Sequence, residues 1–326
     1  MNSKKIKILN TIGENFAPEA KKVLAGLGEV DYKIPTQKEL AEIIGDYNAV
    51  VVGLGLNFNR EILARAKKLK VIATATTGLD HIDLALAKKQ GIEVLSLRGE
   101  NEFLNTITGT AELTFGLLID LFRFTPWAFE DVKSYRWRRE DWKGMSLYGK
   151  TLGVIGLGRL GKMTASFGKA FGMRVLFVDP NVSPKNFPEY KKVSLEKLFQ
   201  ESDAVSLHVH LNQETENLLA KKEFALMKKN AILVNTSRGK IVNEKDLLVA
   251  LERGQLGGYA TDVLADELSF ETTGFKKYSL VEYAKTHQNL IIVPHIGGMT
   301  ADSRIATDLF IAEKLKRFLL KFYVHN

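Results

Sequence analysis

Three polar side chains in this 326-residue chain each follow an apolar, strand-like run: Arg238 in Asn235-Thr-Ser-Arg238-Gly239, Glu267 in the loop after Asp262, and His295 in Pro294-His-Ile-Gly-Gly298. An arginine at such a strand end offers a planar fork that matches a carboxylate and can polarise an adjacent carbonyl. A histidine gives or takes a proton near neutral pH. A carboxylate beside it would hold its tautomer and raise its pKa. Taken singly, Arg238 reads equally as a solvated loop charge, His295 as a satisfied buried histidine and Glu267 as surface. Together on one sheet edge they supply a carboxylate anchor and a proton donor, which reduction of a 2-oxo acid requires once a hydride source is bound.

A site for that source is written in Gly156-Leu-Gly158-Arg-Leu-Gly161, which follows the apolar run Leu152–Gly156 and opens a helical pattern. Gly156 would make the tight turn, Gly158 would let backbone amides approach a pyrophosphate, and Gly161 would allow close helix–strand packing. Three such glycines are a weak match alone, because glycines at strand ends often only turn the chain. Asp179, at the end of the next strand, strengthens it: an acid there can accept both ribose hydroxyls of NAD and would repel a 2′-phosphate. Its plainer reading is a turn aspartate before Pro180.

The elements that would position these residues alternate in type. Ile6–Asn10, Ala49–Gly53, Val71–Ala75 and Glu93–Leu97 read as strands, and Pro18–Leu27, Gln37–Ile44, Glu61–Ala66 and Leu84–Gln90 as helices. A second series gives six strands, Leu152–Gly156, Arg174–Asp179, Ala204–Val209, Ile232–Ser237, Tyr259–Val263 and Leu290–Pro294. Such alternation predicts an α/β protein of two doubly wound parallel sheets with a cleft between two domains. Between the series, Asn105–Tyr148 is helical and holds Trp127, Trp137 and Trp142, either core filler or a dimer arm. Thr300–Val324 reads as an amphipathic helix with Ile305, Leu309, Ile311, Leu315, Phe318 and Leu319 toward one side.

Composition narrows the class. With no cysteine, disulfides, zinc–thiolate sites and thiol nucleophiles are excluded. Neither a membrane-length apolar run nor a secretory leader is visible, so a cytoplasmic location is expected. The net charge of +8 is interspersed, and only Arg136-Trp-Arg-Arg139 is dense. That run could stack and pair with nucleic acid, but reads more plainly as a charged face or subunit contact, so no nucleic-acid partner is expected.

The ordered set Gly149–Gly161, Asn235–Glu244, Gly258-Tyr-Ala-Thr-Asp262-Val and Pro294–Gly298 resembles the signatures of the D-isomer-specific 2-hydroxyacid dehydrogenases, from about Ile6 onward. The resemblance implies a Rossmann NAD domain, residues 105–299, inserted in a flavodoxin-like substrate domain of residues 1–104 and 300–326, in a homodimer. It implies Arg238 as the substrate-binding arginine, Glu267 and His295 as the acid/base dyad, and Asp262 as a contact near the nicotinamide. Arg159, Leu160, Val209, Thr236, Ser237 and Gly298 would line the cofactor with the glycines, Arg238 and His295. Thr77 and Gly78, in Thr77-Gly-Leu-Asp80, would hold the substrate carboxylate with Arg238 and His295.

Some features depart from that pattern. The chain reads His208-Val-His210 where the family often has His-x-Pro, and no metal site is expected from that pair. A formate dehydrogenase would pair its histidine with glutamine, and a phosphite dehydrogenase would show lysine where Thr77 stands. Family members acting on 3-phosphoglycerate place arginines where this chain has Gly53 and Thr74, so a small, unphosphorylated 2-oxo acid is expected. Arg98, in a connector longer than usual, is either a surface hinge charge or a source of that missing charge. A phosphoglycerate dehydrogenase and a dinucleotide-sensing, corepressor-like binding protein stay open as alternatives.

Overall fold

The structure, a computed structural model, describes residues 6–270 and 274–324. The chain divides into two compact units. The first draws on the described parts of Met1–Thr106, Leu268–Phe275 and Met299–Asn326, the second on Ile107–Glu267 and Lys276–Gly298.

The first unit is built on a parallel sheet of β1 (Lys7–Asn10), β2 (Glu29–Tyr32), β3 (Ala49–Val52), β4 (Val71–Thr74) and β5 (Glu93–Leu95), in the order β2-β1-β3-β4-β5. Every residue of β3 and β4 is buried, as expected of central parallel strands covered on both faces, and all but Thr74 at the end of β4 are apolar. β2 is an addition to the strands expected. Its Glu-Val-Asp-Tyr sequence suits an edge, with Asp31 accepting the Tyr47 hydroxyl at 2.5 Å. Helix Gln37–Ile43 starts at a capping box between Thr36 and Glu39.

The helix Ala301–Val324 completes this unit, burying Ile311, Leu315 and Leu319 with Ile8, Leu24, Val51 and Val71. Ile305, expected on the same side, is instead 45% exposed, while Ser303, Thr307 and Asp308 are buried. The reason is polar. Ala17, at the start of helix Pro18–Ala25, has no side-chain cap of its own, and the Asp308 carboxylate accepts its amide at 3.1 Å.

The second unit has a seven-stranded parallel sheet, one strand more than expected: β6 (Thr151–Ile155), β7 (Arg174–Val178), β8 (Lys191–Lys192), β9 (Ala204–Leu207), β10 (Ile232–Asn235), β11 (Gly258–Thr261) and β12 (Leu290–Ile292). The order β12-β11-β10-β9-β6-β7-β8 reverses direction between β6 and β9, the crevice where open α/β sheets bind ligands. The connector supplies helix Gly109–Arg123, whose Ala111, Phe115, Leu118, Leu121 and Phe122 are buried. Its three tryptophans take different places. Trp127 packs on the core, Trp142 donates its indole N–H to Asp131 at 2.9 Å, and Trp137 is 79% exposed. Arg136 and Arg138 both pair with the buried Asp131 carboxylate, so much of the dense basic run is spent inside the connector. Among the described residues, no helix is long and apolar enough to cross a membrane.

Candidate active site

The second sheet brings the polar residues to the carboxyl ends of adjacent strands. Arg238 follows β10, Asp262 and Glu267 follow β11, and His295 follows β12. Each turn is fixed by a buried side chain. Asn235 accepts the Ser237 amide at 3.0 Å and donates to the Arg238 carbonyl at 2.9 Å, an Asx turn that sets the course of the chain at the arginine. The Arg238 guanidinium donates to the Ser237 carbonyl at 2.7 Å. Asp262, 2% exposed, accepts the amides of Ile296 at 2.6 Å and Gly297 at 2.8 Å. Burial raises its pKa, against the lowering effect of those two bonds.

That clamp encloses His295, whose φ of 52° lies in the left-handed region that a non-glycine residue enters at a cost. Its Nδ1 lies 2.9 Å from Glu267 Oε1, which leaves Nε2 as the nitrogen able to exchange a proton with a substrate. Burial of the ring opposes the imidazolium, but the hydrogen bond and charge of Glu267, with the charge of Asp262, outweigh it and raise the His295 pKa above its ordinary 6.5. Arg238 pulls the other way. The set brings together a histidine whose proton its acidic neighbours favour and a cation able to meet a carboxylate, an arrangement chemically suited to acid–base work.

The nucleotide motif meets its steric requirements. Gly156 has φ 90° and a Cβ there would lie 2.6 Å from the His208 carbonyl oxygen; a Cβ on Gly161 would lie 2.0 Å from the Gly156 oxygen. Gly158, exposed at the start of helix Arg159–Ala170, would meet nothing within 4 Å, so the open approach to the helix N-terminus lies there. Asp179 accepts the Leu157 amide at 2.8 Å, which ties the ribose-binding candidate to the glycine loop itself. These features fit a dinucleotide.

Several expected cofactor neighbours carry structural bonds of their own. Thr236 Oγ1 is 2.7 Å from Thr114 Oγ1, Ser237 Oγ donates to the Leu207 carbonyl at 2.7 Å, and Arg159 donates to the Ile107 carbonyl at 2.6 Å. Leu160 and Val209 are half-buried, and Gly298 is exposed. His208 sits behind the glycine loop with Nε2 2.8 Å from Ser206 Oγ, and burial pushes its pKa down to about 4, so the ring is neutral. His210 is exposed, and its carbonyl accepts Thr215 Oγ1 at 2.5 Å. Among the described residues, no group of three acidic or histidine side chains could hold a metal ion.

In the first unit, Thr77 and Gly78 lie half-buried in the loop after β4, with the Thr76 hydroxyl donating to the Gly78 carbonyl at 2.7 Å. Arg98 is exposed and its Nε donates to the Thr77 carbonyl at 3.3 Å.

Residues 115–297 match the family model described as D-isomer specific 2-hydroxyacid dehydrogenase, NAD binding domain. A D-3-phosphoglycerate dehydrogenase of Methanocaldococcus jannaschii is 37% identical over 96% of this chain, and the chain spans 57% of that relative's length. A glyoxylate reductase of Thermococcus litoralis is 35% identical, over 88% of this chain and 85% of its own. The structure of a D-lactate dehydrogenase from Aquifex aeolicus, complexed with NAD and lactic acid, superposes with a TM-score of 0.85 at 28% identity, covering 97% of this chain and 96% of that one.

Proposed function

Because the chain belongs to the D-isomer specific 2-hydroxyacid dehydrogenase family, we propose that it interconverts a small 2-oxo acid and its D-2-hydroxy acid with NAD. The observation that carries this reading is His295 Nδ1 at 2.9 Å from Glu267 Oε1, on a sheet edge shared with Arg238. A nicotinamide cofactor held at this site would supply or accept the hydride. Arg238 meets the substrate carboxylate and polarises the carbonyl. His295 Nε2 gives the proton that completes the new hydroxyl, and takes it back in the oxidative direction, while Glu267 stabilises the imidazolium. By the family resemblance alone, Thr77 and Gly78 of the first unit would offer backbone amides to a substrate carboxylate. The loop of Gly156, Gly158 and Gly161 would hold the pyrophosphate and Asp179 the ribose.

The relatives' names span phosphorylated and unphosphorylated substrates. Gly53 and Thr74, at the ends of β3 and β4, carry no charge, which favours the unphosphorylated class. We further infer a cytoplasmic homodimer without a nucleic-acid partner. The exposed Phe129, Tyr135 and Trp137 of the connector support a subunit contact.

The test is NADH oxidation with glyoxylate, hydroxypyruvate and pyruvate. Turnover of at least one supports the dehydrogenase. Tight NADH binding with no turnover of any 2-oxo acid would leave a dinucleotide-sensing binding protein.

A further inference from the structure

Glu267 is carried by a loop, and loops hold a catalytic geometry only when something outside them fixes their backbone. Within the loop, the Glu267 amide reaches the Leu264 carbonyl only at 3.4 Å. Leu264 N–H reaches back to Glu267 Oε2 at 3.3 Å, close to the limit of a useful hydrogen bond. The firmer attachments come from two side chains elsewhere in the chain. Glu244, the first residue of helix Glu244–Glu252, accepts the Ala265 amide through Oε1 at 2.9 Å. Its Oε2 accepts the Tyr278 hydroxyl at 2.5 Å, and that hydroxyl is also hydrogen-bonded to the backbone of Asp266. Two consecutive peptide units just before Glu267 are thus held by one carboxylate–phenol pair.

Gly239 closes the arrangement from the side of Arg238. A Cβ there would lie 2.1 Å from the Leu264 carbonyl carbon and 2.3 Å from the Ala265 nitrogen. The loop of the acid therefore rests against the turn of the arginine, and only glycine permits that approach. A carboxylate in this half-buried place is costly unless its oxygens are satisfied. Burial, with the nearby charges of Asp266 and Glu267, pushes Glu244 up, against the two hydrogen bonds that favour its ionised form.

We propose that Glu244 and Tyr278 are positioning residues for the reaction: they fix the loop carrying Glu267 and, through it, the tautomer and orientation of His295. The groups acting directly on the His295 ring are Glu267, Asp262 and Arg238. Glu244 and Tyr278 are not among those groups, and the bonds described above run from them to the backbone of the loop that carries Glu267. The kinetic part rests on the dehydrogenase reading above.

The test compares Tyr278→Phe, Glu244→Gln and Glu244→Ala with wild type. Phenylalanine keeps the ring and loses the hydroxyl; glutamine keeps an acceptor for the Ala265 amide; alanine removes both bonds. The expected result is a kcat lowered about three- to tenfold in Tyr278→Phe and more in Glu244→Ala, with partial recovery in Glu244→Gln. KM and NADH affinity should stay within about twofold. Independently of turnover, histidine-labelled protein followed by NMR, with His295→Ala to assign the signal, should show His295 titrating at lower pH in Tyr278→Phe than in wild type. If no 2-oxo acid is turned over, the dehydrogenase reading falls and the titration alone still decides the positioning. An unchanged His295 titration in a folded Tyr278→Phe overturns the proposal. A fall in kcat matched by equal losses in NADH affinity and melting temperature would show a structural role only, and overturns it as well.

Discussion

Asp262 Oδ1 accepts the Ile296 amide at 2.6 Å, which couples the residue after β11 to the residue after His295, beyond the end of β12. With the second bond to Gly297, this holds His295 in a left-handed backbone conformation that costs on the order of 1–3 kcal/mol to maintain. Asp262→Ala should let that backbone relax. Each lost bond to a charged acceptor is worth about 1.5–3 kcal/mol, partly offset by relief of the buried charge. A lowered melting temperature and a kcat reduced about tenfold or more are expected, with Asp262→Asn in between because it keeps one acceptor oxygen. An Asp262→Ala enzyme with wild-type kcat would show that the clamp is irrelevant to the histidine.

The pH dependence follows from His295. Its folded pKa is raised, so the imidazolium persists above pH 6.5, and the rate of 2-oxo acid reduction should be flat at lower pH and fall as pH rises through that raised value. The stability contributed by the His295–Glu267 pair has the same sign: present below the unfolded pKa, lost as pH rises through the folded one. Glu267→Gln removes the charge that retains the proton and should move the fall in rate to lower pH. A profile that stays in place in Glu267→Gln would remove Glu267 from the dyad.

Asp179 accepts the Leu157 amide and is proposed to receive the ribose, so its replacement should have two effects. Asp179→Ala removes the charge that would repel a 2′-phosphate and should narrow the preference for NADH over NADPH. It also frees the Leu157 amide, loosening the glycine loop and weakening NADH itself. Fluorescence titration with both cofactors separates the two. Wild-type preference for NADPH would sink the assignment.

What the sequence made legible follows burial and chemistry. β3, β4, β6, β9, β10 and β11 are buried at every residue and appear as mainly apolar runs, broken only by single buried residues such as Ser206, Asn235 and Thr261. Glu29–Tyr32 and Lys191–Lys192 are polar edge strands, and their side chains carry no such pattern. In the site, Arg238 and His295 declare themselves by type. Asn235, Asp262 as a backbone clamp, and the Glu244–Tyr278 pair do not, because an acceptor's partners are backbone amides far along the chain. The Ile305 error has the same origin. Periodicity counts apolar residues, and the Ala301–Val324 helix turns a buried Asp308 toward the Ala17 amide instead.

Arg98 provides the test of the substrate class. Its Nε is held at the Thr77 carbonyl, so a cation stands beside the loop proposed to receive the substrate carboxylate. It could supply the charge that Gly53 and Thr74 lack. Its exposure argues for a small effect: a water-exposed ion pair is worth about 1 kcal/mol or less, roughly fivefold in affinity. A desolvated phosphate needs several charge-assisted bonds to offset its lost hydration. Wild type should therefore show a higher kcat/KM for hydroxypyruvate than for 3-phosphohydroxypyruvate, and Arg98→Ala should change that ratio by no more than about fivefold. A strong wild-type preference for the phosphorylated acid that vanishes in Arg98→Ala would place the second anion site on Arg98. It would also move the protein into the phosphorylated substrate class.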